Sequence, residues 1–286
     1  MNLIDKIQNW RIGLNLKKFA GTDLAETTFR EAWIESRTGK KIYAHIHHPV
    51  ASGRYPGLVI VPGADSPGTD YDRGVGIRAE DLASCGFTVL HYDPSGRGRT
   101  GGSEDYWGPI HQQELSLVID SFSRLPEVAE ENIGLLSFSV GIVIASGALA
   151  RFTEHKIRYL FDWEGPSNRF NTTKNDTHKP LIGFPTSNDV FWREREAAGF
   201  IGNIECWYFR YQAEIDHVQG KYKGHAVELL NRATRGRALL TKCNNNPANT
   251  IFDENKPGEY SWVPAGLNHK GQIIRYLLEL QRESLV

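Results

Sequence analysis

A serine set among small residues, between two apolar runs, is the first feature of this 286-residue chain with chemical content. Asn132 to Ala150 reads NIGLLSFSVGIVIASGALA. Ile133 to Leu136 has the short apolar run of a buried strand, and Ile142 to Leu149 the small, apolar make-up of a buried helix. A strand that reverses directly into a helix strains the backbone at the bend and lifts that residue's side chain above the sheet. Small neighbours let strand and helix close on each other. The usual spacing is G-x-S-x-G; here Ser137 stands at the first position, Ser139 at the bend and Gly141 at the last. Ser139 is expected to be a nucleophile.

A serine hydroxyl attacks poorly until an imidazole removes its proton, and the imidazole needs an acid to fix its tautomer and stabilise its cation. Asp216 and His269 answer both needs in the order Ser139, Asp216, His269, each just after a predicted strand. The acid has rivals: Asp162 and Glu164 close the preceding strand, and Glu214 lies two residues from Asp216. Small residues also follow the run GLVIV (Gly57 to Val61), in Pro62-Gly63-Ala64-Asp65-Ser66-Pro67-Gly68. There the backbone can approach a substrate and offer N–H groups to an oxyanion.

Two other patterns are weaker. Gly96-x-Gly98-x-x-Gly101 follows the strand FTVLHY and matches the dinucleotide fingerprint, but the third glycine should open a helix. Gly102, Ser103 and Gly108-Pro109 prolong the loop instead, so NAD is not expected and no cofactor is assigned. His45 and His47 share one face of a predicted strand, a spacing that can hold a metal, but no carboxylate or cysteine cluster joins them in sequence; no metal is expected.

The elements that must position these residues read as follows. Met1 to Gly21 has the spacing of an amphipathic entry helix. Glu26 to Ser36 and Lys41 to His48 alternate around Thr38-Gly39-Lys40 as an antiparallel edge pair. Tyr71 to Cys85 reads as a helix stopped by Gly86, Ile110 to Leu125 as another, and Tyr159 to Trp163 as a strand. Glu205 to Gln212 is a strand, Lys221 to Arg237 a helix, Tyr260 to Pro264 a last strand, and Gly271 to Glu283 the closing helix. Alternating strands and helices argue for a mostly parallel sheet of about eight strands in one domain spanning 1–286. The irregular stretch at 165–203 is expected to be a small cap, with Phe184, Phe191 and Trp192 in a substrate pocket.

In this order, PGADS, the D-x-x-G-x-G loop from Asp93 to Gly98, S-F-S-V-G, E-I-D-H-V and G-L-N-H resemble the α/β-hydrolase superfamily from about Glu26 onward. The detail is similar to the dienelactone-hydrolase, acyl-esterase and prolyl-oligopeptidase-like branch. The resemblance implies Ser139 as nucleophile, His269 as base, Asp216 as acid, and the backbone N–H groups of Val140 and Ala64 as the oxyanion hole. It also implies a carboxylesterase of small-molecule esters. A peptidase of the oligopeptidase-like branch and a silent, ligand-binding member of the fold are the alternatives.

Composition bounds the rest. Lys plus Arg number 33 against 34 Asp plus Glu, which gives no global attraction for nucleic acid or an acidic membrane. Hydrophobic residues make up 40% and charged residues 23%, ordinary for a globular protein. Cys85, Cys206 and Cys243 show no metal spacing and fit a reducing compartment, so a cytoplasmic location is expected. The longest apolar stretch is too short to span a bilayer. Association into a homo-oligomer stays open.

Overall fold

The computed structural model describes residues 16–18, 21, 23–35, 41–73, 77–177 and 183–284. Most of the expected entry helix and the turn at Thr38-Gly39-Lys40 lie outside the described residues. Eight strands form one sheet in the order β1-β2-β4-β3-β5-β6-β7-β8. They are β1 (Thr27–Glu35), β2 (Lys41–Pro49), β3 (Tyr55–Val61), β4 (Thr88–Tyr92), β5 (Val128–Phe138), β6 (Ile157–Trp163), β7 (Trp207–Tyr211) and β8 (Leu240–Cys243). The β1–β2 and β2–β4 pairs are antiparallel, and all other neighbours are parallel.

The helices are α1 (Asp70–Arg73), α2 (Ala79–Ser84), α3 (Pro109–Ser123), α4 (Gly141–Arg151), α5 (Arg169–Thr173), α6 (Asp189–Trp192), α7 (Gly224–Arg235) and α8 (His269–Glu283). The central strands read as continuous apolar runs because both faces are covered. On one face Val59, Val61, Leu135 and Leu160 pack with α3, α4 and α7 through Leu115, Ile144 and Leu230. On the other, Leu58, Ile60, Leu136 and Phe161 meet α2 and α8 through Leu82, Ile273 and Leu277. Among the described residues no helix is long and apolar enough to cross a membrane.

Three elements differ from the sequence reading. The expected helix from Tyr71 to Cys85 is two short helices, α1 and α2. The expected last strand at Tyr260–Pro264 supplies only a bridge between Val263 and Ala213, and the eighth strand is Leu240–Cys243. Leu240–Cys243 is short and lies among polar residues, so it carries little periodic signal. The stretch at 165–203 holds α5, α6 and two single 3-10 turns.

Candidate active site

Ser139 sits between β5 and α4 with φ +51°, the strained conformation expected at a sharp strand-to-helix bend. Small residues at the bend are needed for contact between backbones. A Cβ at Gly63 would stand 2.5 Å from Phe138 O, and one at Gly141 would stand 2.6 Å from Val61 O. The loop after β3 and the bend after β5 therefore touch main chain to main chain. Ser137, in place of the usual glycine, is fully buried and its hydroxyl faces Phe161 O across to β6 at 3.4 Å, so a small polar residue fits there.

Ser139 lines a cavity of about 140 Å³ with Ala64, Trp107, Val140, Glu164 and Pro166. Ala64 also has a positive φ, +39°, and its carbonyl accepts a hydrogen bond from Trp107 Nε1 at 2.7 Å. Among the described residues, no backbone carbonyl accepts from the N–H of Ala64 or of Val140. Two backbone donors and one hydroxyl therefore share a half-enclosed cavity.

The expected acid and base are not brought together by a hydrogen bond. Asp216 is buried; its Oδ1 accepts from Val218 N and Gln219 N at 2.7 Å each, and its Oδ2 from Gln212 Nε2 at 3.0 Å and His225 Nε2 at 3.2 Å. Burial alone would raise this carboxyl, but the His225 and Gln212 side chains and the Gln219 N–H hold it well below the usual carboxylate range. His269 opens α8, and its Nδ1 lies 2.7 Å from the Tyr211 hydroxyl. Its loop does run beside the Asp216 loop: Glu214 N donates to Val263 O at 2.8 Å, and Ala265 N to Glu214 Oε2 at 3.1 Å.

A different imidazole–carboxylate pair forms next to Ser139. Glu164 follows β6 with φ +55°. Its Oε1 accepts from Ala213 N at 2.8 Å, and its Oε2 lies 2.9 Å from His217 Nδ1. The His217 ring stacks on Phe138, the residue before the serine, at 5.0 Å and 26°. Val218 and Gln219, next in sequence, line the same cavity as Ser139. Because a carboxylate only accepts, His217 must carry its proton on Nδ1, which leaves a lone pair on Nε2. A tyrosine hydroxyl either donates or accepts, so His269 is not fixed in that tautomer by Tyr211.

Among the described residues, neither imidazole is hydrogen-bonded to Ser139 Oγ, which is common in ligand-free sites. Sequence reading named Glu164 only as an alternative acid and passed over His217. The signal was present as the adjacent pair Asp216-His217, one of which faces inward to His225 and the other toward Glu164.

Asp162 has a structural partner instead. It is fully buried against Arg210, with 2.5 Å from Arg210 Nη1 to its Oδ2, and it also accepts from the Tyr208 hydroxyl at 2.7 Å. The expected pocket aromatics lie elsewhere. Phe184 and Phe191 stack on each other at 4.0 Å, and Trp192 is fully buried in the core. Pro166, Asn171, Thr172 and Lys174 of the same stretch line the cavity in their place. Apolar character marked Phe184, Phe191 and Trp192 for burial; Trp192 enters the core, and the half-buried Phe184 and Phe191 pack against it. The loop from Asp93 to Gly101 is held by its own groups and by Thr69: Asp93 accepts from Thr69 N at 3.1 Å and Arg99 N at 2.8 Å, and Gly96 N donates to Gly101 O at 2.7 Å.

No family model matches the chain. An uncharacterized protein of Pseudomonas aeruginosa is 31% identical over 116 residues, 39% of this chain and 30% of that protein's length. Among solved structures, a puromycin-hydrolyzing peptidase of Mycobacterium tuberculosis superposes with a TM-score of 0.65 at 12% identity, over 91% of this chain. The chain spans only 39% of that peptidase. An esterase of Pyrococcus furiosus gives 0.63 at 16% identity, covering 93% of this chain and 95% of the esterase. A putative dienelactone hydrolase of Klebsiella pneumoniae gives 0.59 at 14% identity, over 89% and 98% of the two chains. With its mostly parallel eight-stranded sheet, the chain has the α/β-hydrolase fold.

Proposed function

We propose that this protein is a serine hydrolase that cleaves carboxylic esters through an acyl-enzyme, with Ser139 as nucleophile. The observation that carries the reading is the strained Ser139 at the β5–α4 bend, lining a cavity with Ala64 and Val140, whose backbone N–H groups have no backbone acceptor among the described residues. An imidazole takes the Ser139 proton as Oγ attacks the ester carbonyl. The N–H groups of Val140 and Ala64 receive the developing oxyanion. The imidazolium then protonates the leaving alkoxide, and water reverses the sequence to release the acid. The cavity, at about 140 Å³, falls below the roughly 300–1,000 Å³ of sites for drug-sized ligands, which favours short acyl groups. Structural neighbours include both esterases and peptidases, so the fold does not choose between ester and amide, and comparison with anilides decides it.

Geometry supports His217, oriented by Glu164, as the base. The second reading, His269 with Asp216, is supported by chain order and by the contact between their two loops. One set of measurements tests both. Ser139→Ala should lower kcat on p-nitrophenyl acetate by about 10⁶ and abolish labelling by a fluorophosphonate. Wild-type turnover in that variant would reject the hydrolase reading. His217→Ala should lose about as much as Ser139→Ala while His269→Ala keeps most activity; the reverse pattern assigns the base to His269. Aminoacyl anilides should be turned over far more slowly than short esters, and preferential anilide cleavage would make the protein a peptidase.

A further inference from the structure

At the far side of the sheet from β8, four side chains scattered in sequence meet at one point. His45 and His47 occupy alternate positions of β2 and so share a face. The β2–β4 register sets His45 directly opposite His91, which puts that ring on the same face. Asp72 descends on them from α1. His45 Nδ1 lies 2.7 Å from Asp72 Oδ2, while His47 Nε2 and His91 Nε2 each lie 2.9 Å from Asp72 Oδ1. The two Nε2 atoms are 3.3 Å apart. All three rings are buried, His91 completely.

Protons alone satisfy this arrangement poorly. For His47 and His91 both to bond Asp72 Oδ1, two N–H groups must point side by side at one oxygen. The neutral His91 ring then presents Nδ1 as an acceptor, and among the described residues that buried atom has no donor. The His45 Nδ1 contact is short but not aligned as a hydrogen bond, and among the described residues this nitrogen too is buried without a hydrogen-bond partner. Charging all three rings would set three buried cations against one carboxylate, which is costlier still.

A divalent cation among these atoms removes the conflict, because it takes a lone pair from each ring and from the carboxylate. Three imidazoles and one carboxylate are a donor set that suits zinc. At Zn–N distances of about 2.0–2.1 Å, tetrahedral geometry places donors about 3.4 Å apart, close to the observed Nε2–Nε2 separation. The carboxylate need retreat by only about half an ångström. An outer shell is in place as well. His45 Nε2 lies 2.6 Å from the Tyr43 hydroxyl, which accepts from Arg99 Nη1 at 2.6 Å, so Nε2–H can donate to the same oxygen and leave Nδ1 for the ion. Phe29 stacks on the His47 ring at 5.4 Å and shields the group from the strand edge.

We propose that His45, His47, His91 and Asp72 form a structural binding site for a divalent transition-metal ion, zinc by its donor set. With four protein ligands the site is closed, and it holds no place for a reacting water. Its mechanical effect is to staple α1 onto β2 and β4. Since α1 directly follows the loop that carries Ala64, the ion fixes the far end of that loop. The inference stands independently of the hydrolase reading.

The full-length protein, stripped with chelator and dialysed, tests it. Titration with Zn(II) should give one ion per chain by elemental analysis and a rise in Tm. Titration with Co(II) should give the intense visible absorption of tetrahedral cobalt. Asp72→Asn changes a partly exposed residue and should fold; its Zn(II) affinity should fall by more than the 10–100-fold typical of losing an outer-shell partner. His47→Gln should do the same even if a His91 variant fails to fold. A stripped wild-type protein that takes up neither ion, or one whose affinity is unchanged in both variants, overturns the proposal.

Discussion

Single residues at the bend decide what the cavity can do. Trp107 matters through one atom: its indole N–H holds the Ala64 carbonyl, and so helps fix Ala64 at its positive φ, which sets the aim of the Ala64 N–H in the peptide before it. Trp107→Phe keeps most of the ring but removes that bond. Its expected effect on p-nitrophenyl acetate is a drop in kcat of about tenfold with KM nearly unchanged. Outright loss of an oxyanion donor costs about 10²–10³, and a misaimed one should cost less. An unchanged kcat would show that the Trp107 bond is not what aims the Ala64 N–H. The strained serine itself was legible in the sequence because S-F-S-V-G fixes local geometry through residue size alone. The Glu164–His217 pair was not. Asp216 and His217 are adjacent, and which way each side chain turns depends on His225 and Glu164, residues that the chain brings up from α7 and the end of β6.

At the scale of elements, the strands that carry the site are tied by a buried pair. Arg210 on β7 reaches Asp162 on β6, Gln212 and the Gly165 carbonyl, with no exposed surface on either charged side chain. Removing one partner leaves the other charge buried and alone. Arg210→Met should therefore cost about 3–5 kcal/mol in urea unfolding, and a loss under about 1 kcal/mol would show the charges to be relaxed by water. Most strands and the long helices could be read from period and length, since β3, β5 and β6 are apolar on both faces and α8 repeats every third or fourth residue. Elements set by tertiary contact escaped. β8 exists because it pairs with β7, and Val263 is held by one bridge to Ala213 and not by a ladder. The metal-ligand cluster escaped for the same reason, because His45 and His47 gain Asp72 and His91 only when β4 and α1 arrive.

Across the whole molecule, buried histidines set the response to acid. Burial holds His225 below its ordinary value despite its bond to Asp216, and His111 is lowered likewise. The unfolded chain takes up these protons near pH 6.5 while the folded chain refuses them. Their stabilisation is therefore complete above about pH 6.5 and drains away as the pH falls below it. Asp216, whose folded carboxyl is held low, contributes above about pH 3.9 and loses that share only in stronger acid. Thermal melts should be flat above pH 7 and fall steadily from 6.5 to 5, with a shallower fall in His225→Gln. An equal slope in that variant would remove His225 from the account. One lacing pattern reaches further. Ser139 N donates to Trp163 O at 2.9 Å and Glu164 N to Tyr211 O at 3.1 Å, so the ends of β5, β6 and β7 are stitched together just past their ladders. Ser139 and Glu164 thus ride on the frame, and the cavity walls around them come from segments outside the sheet such as Asn171 to Lys174 and Val218 to Gln219. In the proposed esterase, a lineage or an engineer can recut those walls for a new acid or alcohol and leave Ser139 where it is.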